Sequence, residues 1–212
     1  MIKFENRDCI EGLKELPPES VDLLVTDPPY RIISGGDSKD QFSFKQMSGA
    51  ISHNSKLTKQ GKIFRCNEIQ FSEWLPECYR VLKPDTHAYI MVNSRNLKDL
   101  WIEAEKARFV YQNLLVWDKG NALPNKFYMN SYELILMLRK GKQRWINNMG
   151  DRNLISIPNV RNKLHPTEKP VELMRLLIEN STGGGADSFR TLRWERKYDH
   201  SLPRERQRFY RL

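Results

Sequence analysis

The sequence predicts an α/β fold built on a mainly parallel sheet, and three observations point to it. Short apolar runs of strand length alternate along the chain with segments of helical periodicity. The length of 212 residues suits one globular domain and gives enough chain to bury a core. Hydrophobic residues at 39% and charged residues at 29% exclude a mainly disordered or collagen-like chain. No apolar run reaches the roughly 20 residues of a bilayer span. The start MIKFENRDC lacks the apolar core of a signal peptide, so a cytoplasmic location is expected. Cys9, Cys66 and Cys78 have no close spacing and indicate neither a disulfide framework nor a zinc site.

In chain order, Ile10, Leu13 and Leu16 sit at helical spacing, and Pro17-Pro18 ends that helix. Val21 to Thr26 reads as a buried strand, closed by Asp27-Pro28-Pro29-Tyr30, where two prolines cannot continue a ladder. Residues 31 to 62, rich in Ser, Gly, Lys and Asn, read as a long loop or lid. Ile69, Phe71, Trp74, Leu75, Tyr79 and Leu82 fit an amphipathic helix ended by Pro84. A strand at His87 to Val92 and a helix from Asn96 to Arg108 follow. Strands at Tyr111 to Trp117 and Tyr132 to Leu138 come next. Residues 139 to 164 read as a basic loop, and a last helix runs from about Pro170 to Glu179.

The formal charge of +9 and pI near 9.5 make a polyanionic partner plausible, nucleic acid being the commonest. A basic solvated surface accounts for the same number. Residues 183 to 212 carry seven Arg and one Lys against four acidic residues, and no Ile, Val or Met. They read as an irregular basic tail.

Asp27-Pro28-Pro29-Tyr30 at the end of a strand is a compact chemical kit. It offers a carboxylate, stiff carbonyls and an aromatic face at the crevice where open α/β sheets bind ligands. An amino group on a flat ring fits such a kit. Its lone pair is delocalised into the ring, and acceptors at Asp27 and the Pro28 carbonyl can draw the nitrogen toward tetrahedral geometry while Tyr30 stacks. A capped turn with a packing tyrosine fits the same four residues. His165-Pro166-Thr167-Glu168-Lys169-Pro170 is a loop-to-helix entry, with Thr167 placed to cap and Pro170 suited to a first turn.

Together these segments resemble the N4/N6 amino-DNA methyltransferases of the permuted arrangement, in which DPPY precedes the cofactor's glycine motif. The resemblance runs over residues 1 to 182. It includes Asn6-Arg7-Asp8-Cys9, Thr26 to Tyr30, Trp117-Asp118-Lys119-Gly120-Asn121, Glu133-Leu134-Ile135-Leu136 and His165 to Leu173. It implies a Rossmann-like, S-adenosylmethionine-dependent methyltransferase sheet that is incomplete at its C-terminal part. It implies methyl transfer to the exocyclic amine of a base flipped out of double-stranded DNA. The Asp form of the tetrapeptide favours adenine N6, with cytosine N4 as the alternative. Asp27, Pro28, Pro29 and Tyr30 would form the catalytic amino-group pocket. Asp8, Asp27, His165, Thr167, Lys169 and Pro170 would line the cofactor site. Lys56, Lys59, Lys62, Lys119, Arg139, Lys140 and Lys142 are the candidates for DNA contacts. A catalytically dead DNA-binding remnant shares every one of these motifs.

The family pattern next requires an apolar strand ending in Pro-Phe and a glycine-rich turn, and this chain lacks it. Gly183-Gly184-Gly185 has no strand before it and reads as linker. Within the codons of residues 190 to 211, reading one nucleotide later permits a run beginning Pro-Phe-Asp-Gly-Ser-Gly-Ser-Thr-Thr-Thr. The glycine opposite Trp194 and Glu195 is forced, because TGG followed by GA yields GGG. A frame change near residues 183 to 190 is therefore expected. The 1 to 182 domain should then leave an unpaired sheet edge and half a cofactor pocket, with weak or no S-adenosylmethionine binding.

Overall fold

The computed structural model describes residues 3–6, 8–28, 69–123, 128–160, 168–182, 191–195 and 208–211. Among these, strands β1 (Lys3–Asn6), β2 (Val21–Asp27), β3 (Leu82–Val92), β4 (Val110–Leu123), β5 (Asn130–Lys140), β6 (Leu154–Ser156), β7 (Thr191–Glu195) and β8 (Arg208–Arg211) form one sheet. Their order is β1-β8-β7-β2-β3-β5-β4-β6. The helices are α1 (Cys9–Lys14), α2 (Phe71–Val81), α3 (Leu97–Lys106) and α4 (Val171–Ser181).

Side-chain alternation along the central strands explains the layers. Leu24, Ala88, Ile90, Leu134, Leu136 and Leu138 face one side, against Cys9 and Leu13 of α1, Trp74, Leu75 and Cys78 of α2, and Leu100 and Ala104 of α3. Leu23, Val25, Tyr89, Met91, Ile135 and Met137 face the other, against Leu173, Met174 and Leu177 of α4. A sheet covered on both faces needs near-continuous apolar strands, which is why those segments stand out in the sequence. The helix starts are locally encoded. Asp8 accepts from the Ile10 and Glu11 amides at 2.9 and 3.1 Å, and Glu73 accepts from the Gln70 amide at 2.7 Å in a capping box.

A buried polar relay ties α4 to the sheet. The His87 ring must donate through Nε2 to the Arg144 carbonyl at 3.1 Å, since a carbonyl only accepts. Nδ1 is then the acceptor for the Ser181 hydroxyl at 2.8 Å, and Tyr89 donates to that same hydroxyl at 2.7 Å.

The fold differs from the sequence expectation in four places. The sheet is mixed rather than mainly parallel, because β5 runs antiparallel to both β3 and β4. Residues 124 to 129 are too short a link for a parallel crossover, which takes about a dozen residues. The basic loop 139–164 contains β6, which pairs parallel with β4 and buries Ile155. Pro84 does not precede β3 but lies within it, at a shift of register against β2 where Asp85 adopts φ 59° and no regular ladder is required. The tail is not wholly irregular. β7 pairs parallel along β2 from Leu23↔Thr191 to Asp27↔Glu195, and β8 joins β7 to β1. The predicted open edge of β2 is thus occupied, since backbone pairing satisfies a central strand's amides and carbonyls whatever the side chains.

Candidate functional site

The carboxyl ends of β2, β3, β4, β6 and β7 point the same way, and β5, running oppositely, begins where they end. Trp117 on β4 therefore stands opposite Glu133 on β5, and Asp27 closes β2 at the same end. The alternation that turns Leu23, Val25, Ile135 and Met137 toward α4 also turns Asp27 and Glu133 toward it. Lys169, two residues before α4 begins, enters from that side.

These residues form one ionic cluster in which both lysines are buried and both carboxylates partly so. The Lys169 ammonium lies 3.1 Å from Asp27 Oδ2 and 2.9 Å from Glu133 Oε2, with the lysine side chain only 7% exposed. Lys119 Nζ reaches Glu133 Oε1 at 3.4 Å. The Trp117 ring, fixed by donation from Nε1 to the Ile157 carbonyl at 2.8 Å, lies 5.9 Å from the Lys169 ammonium. Among the described residues two carboxylates stand against two ammoniums, which offsets the cost of burying the two lysines. Burial alone would raise the Glu133 carboxyl, but the Lys169 ammonium and then that of Lys119 outweigh it and hold the group below its usual value. The cluster supplies an ionised acceptor at a strand end, with a cation beside it.

The structure brings Asp27 and Lys169 together from opposite ends of the chain, with Pro28 and Pro170 buried beside them. Asp8 is not part of this group. It caps α1, on the opposite face of the sheet. Pro29, Tyr30, His165 and Thr167, the loop 31–62 with Lys56, Lys59 and Lys62, and the glycine run 183–185 lie outside the described residues. Four of the DNA-contact candidates lie among the described residues, and the structure places them as follows. Lys119 is buried against Glu133 rather than offered to solvent. Lys140 is buried too, donating to the Tyr79 and Leu82 carbonyls at 3.0 and 2.7 Å. Arg139 and Lys142 lie with it at the far end of β5, beside Thr86 and His87 at the start of β3. Seven residues of extended strand put Lys140 roughly 20 Å from Glu133.

Glu133 and Trp117 are the members that residue-by-residue reading overlooked. The available signal was a carboxylate heading the otherwise apolar run Leu134-Ile135-Leu136-Met137-Leu138. Such a residue needs a cation or it costs the fold.

Residues 21–186 match the model of the N6/N4 methyltransferase family, described as DNA methylase. The DNA adenine methyltransferase YhdJ of Escherichia coli K12 is 27% identical over 84% of this chain, which spans 66% of that relative's length. Two solved structures share the fold. The M1.HpyAVI complex with S-adenosylmethionine superposes with a TM-score of 0.55 at 21% identity, over 84% of this chain and 75% of that one. The cytosine-N4-specific PvuII DNA methyltransferase gives 0.57 at 16% identity, over 83% and 68%.

Proposed function

For a chain that belongs to the N6/N4 family of DNA methylases, we propose that the end of β2 is the amino-group site of a DNA methyltransferase acting on adenine N6. One observation carries the reading: Asp27, from the DPPY segment, and Lys169, from the HPTEKP segment, meet in one largely buried ion pair although most of the domain separates them in sequence. The name of the Escherichia coli relative supports adenine, and that of the PvuII structure keeps cytosine N4 as the alternative base.

S-adenosylmethionine, present in the M1.HpyAVI complex, would supply an electrophilic methyl group on a sulfonium. The residues here fit it on one side. The Lys169 ammonium suits a carboxylate, and the Asp27 and Glu133 carboxylates suit a cation. On the β7 side the fit fails: the positions in register with Thr26 and Asp27 are Trp194 and Glu195, where close approach of a ligand to backbone calls for glycine. This chain's own contribution is to hold Asp27 ready to accept a hydrogen bond from an amine, which frees the nitrogen lone pair for attack. Pro28 stiffens the turn that presents it.

A second reading, a DNA-binding remnant that transfers no methyl group, is favoured by the end of the family match at residue 186, before β7. The two separate at the tail, which we infer to be read out of frame. Sequencing the gene across residues 183 to 190 tests that inference, and a codon series that cannot spell the Pro-Phe and glycine run in the next frame ends it. Transfer of a labelled methyl group to duplex DNA should be weak or absent for this chain and present when the frame is restored. It should fall at least about 100-fold again in Asp27→Ala of the restored chain. Equal transfer with and without Asp27 overturns the site, and calorimetric S-adenosylmethionine binding at micromolar strength by this chain overturns the half-pocket.

A further inference from the structure

We infer that Glu133 is a positioning residue: it draws the Lys169 ammonium partly off Asp27 and so sets how much of the Asp27 carboxylate remains to bind an amino group. The purpose rests on the methyl-transfer reading above, but the geometry stands without it.

Asp27 on β2 and Glu133 on β5 are separated by β3, so their strands lie roughly 10 Å apart. A side chain crossing above the sheet can join them, and Lys169 does so, at 3.1 and 2.9 Å. The near equality of the two distances means the cation belongs to neither carboxylate. Each remaining contact keeps it there. Lys119 engages Oε1 of Glu133, which leaves Oε2 for Lys169. The Trp117 indole, locked by the Ile157 carbonyl, lies along the same ammonium. Buried Pro170, directly after Lys169, fixes where the lysine stem starts. With Glu133 neutral, the ammonium loses one of the two carboxylates described around it, and the other, Asp27, is the carboxylate the reaction needs. An ammonium seated wholly on Asp27 would compete with the amine of a base for the same acceptor.

The bland alternative is that Glu133 only offsets the charge of two buried lysines. The two ideas differ in whether its effect on Asp27 passes through Lys169. Carbon-13 carboxyl NMR of this chain, with the Asp27 signal assigned by its loss in Asp27→Asn, reads that directly and requires neither cofactor nor DNA. Glu133→Gln should lower the Asp27 titration midpoint by roughly half a pH unit or more, because the ammonium moves onto it. The same substitution in a Lys169→Met background should shift it by less than half as much, as a double-mutant cycle requires of residues acting through one another. If Glu133→Gln does not fold, Lys119→Met serves in its place. It releases Glu133 to take more of Lys169, and the Asp27 midpoint should rise. No shift in a folded variant, or an equal shift with and without Lys169, overturns the inference. Absence of methyl transfer by the frame-restored chain alongside the expected shifts would sink the proposed reaction and leave the positioning intact.

Discussion

The two ends of the central sheet each bury a lysine, and the partners make the difference. At the carboxyl end Lys169 is held by carboxylates, Asp27 and Glu133. At the amino end Lys140 is held mainly by neutral groups. It donates to the carbonyls of Tyr79, in the last turn of α2, and Leu82, just after it, and it lies 4.9 Å from the Tyr79 ring, with Glu19 at 3.3 Å. Lys140 is thus a helix cap reached through tertiary structure. Charges that can be shared and re-partnered belong to a site, whereas carbonyls at a helix end belong to the scaffold.

Substitution should separate the two lysines. Lys169→Met takes the shared ammonium from two carboxylates at a poorly hydrated strand end and should cost about 3 kcal/mol in urea unfolding at pH 7. The loss should shrink as pH falls toward 4, because protonation of Asp27 and Glu133 removes their repulsion. Lys140→Met should cost about 2 kcal/mol, from carbonyls left without a donor, and this loss should not depend on pH over that range. Parallel pH dependence in the two variants would erase the distinction.

A smaller contrast lies in two glycines with positive φ, one at each end. Gly141, at φ 77°, turns β5 away beside Asp85, and an added Cβ would stand 2.6 Å from Asp85 Oδ1, the atom that accepts from the Lys142 amide. Gly120, at φ 68° beyond Asp118, has nothing within 4 Å of such a Cβ. Both substitutions by Ala carry the left-handed backbone cost of about 1 kcal/mol, and Gly141→Ala should cost about 1 kcal/mol more for displacing a buttressed carboxylate. Equal melting shifts would mean that Asp85 relaxes freely.

Much of this was legible in the sequence because it is local. The strand at Val21–Asp27 and the helices at 71–81, 97–106 and 171–181 follow from periodicity over a few residues. Asp27 and Lys169 were legible as motifs, though not as partners. What escaped depended on strand direction. Read in order, Arg139, Lys140 and Lys142 follow closely on Glu133, yet β5 runs antiparallel and carries them to the end opposite Asp27. The same reversal brings Glu133, at the other end of β5, to the site. β7 escaped for another reason. A strand of mostly polar composition leaves little trace in hydrophobic pattern, and residues 191–195 contain a single leucine.

The smallest expected effect concerns acid, and it orders the two ends in pH. At the amino end, burial lowers His87 below its ordinary 6.5, with the charges of Arg144 and Arg139 acting the same way against the opposing hydrogen bond to the Arg144 carbonyl. A neutral ring in the fold and a protonated one in the unfolded chain mean that stability is fully present above about pH 6.5 and is lost as pH falls from there toward the folded value. At the carboxyl end Glu133 is lowered from 4.5, so its contribution persists down to about that pH and is lost below it, through its folded value. Acidification should therefore loosen the His87–Ser181–Tyr89 relay before the Lys169 cluster. Urea unfolding between pH 7.5 and 5 should lose a fraction of the roughly 1.4 kcal/mol per pH unit that one whole proton would give. His87→Gln keeps a donor for Arg144 and an acceptor for Ser181 but cannot titrate, and should flatten that slope. An unchanged slope would mean that the first proton goes elsewhere and that the two ends do not differ in this way.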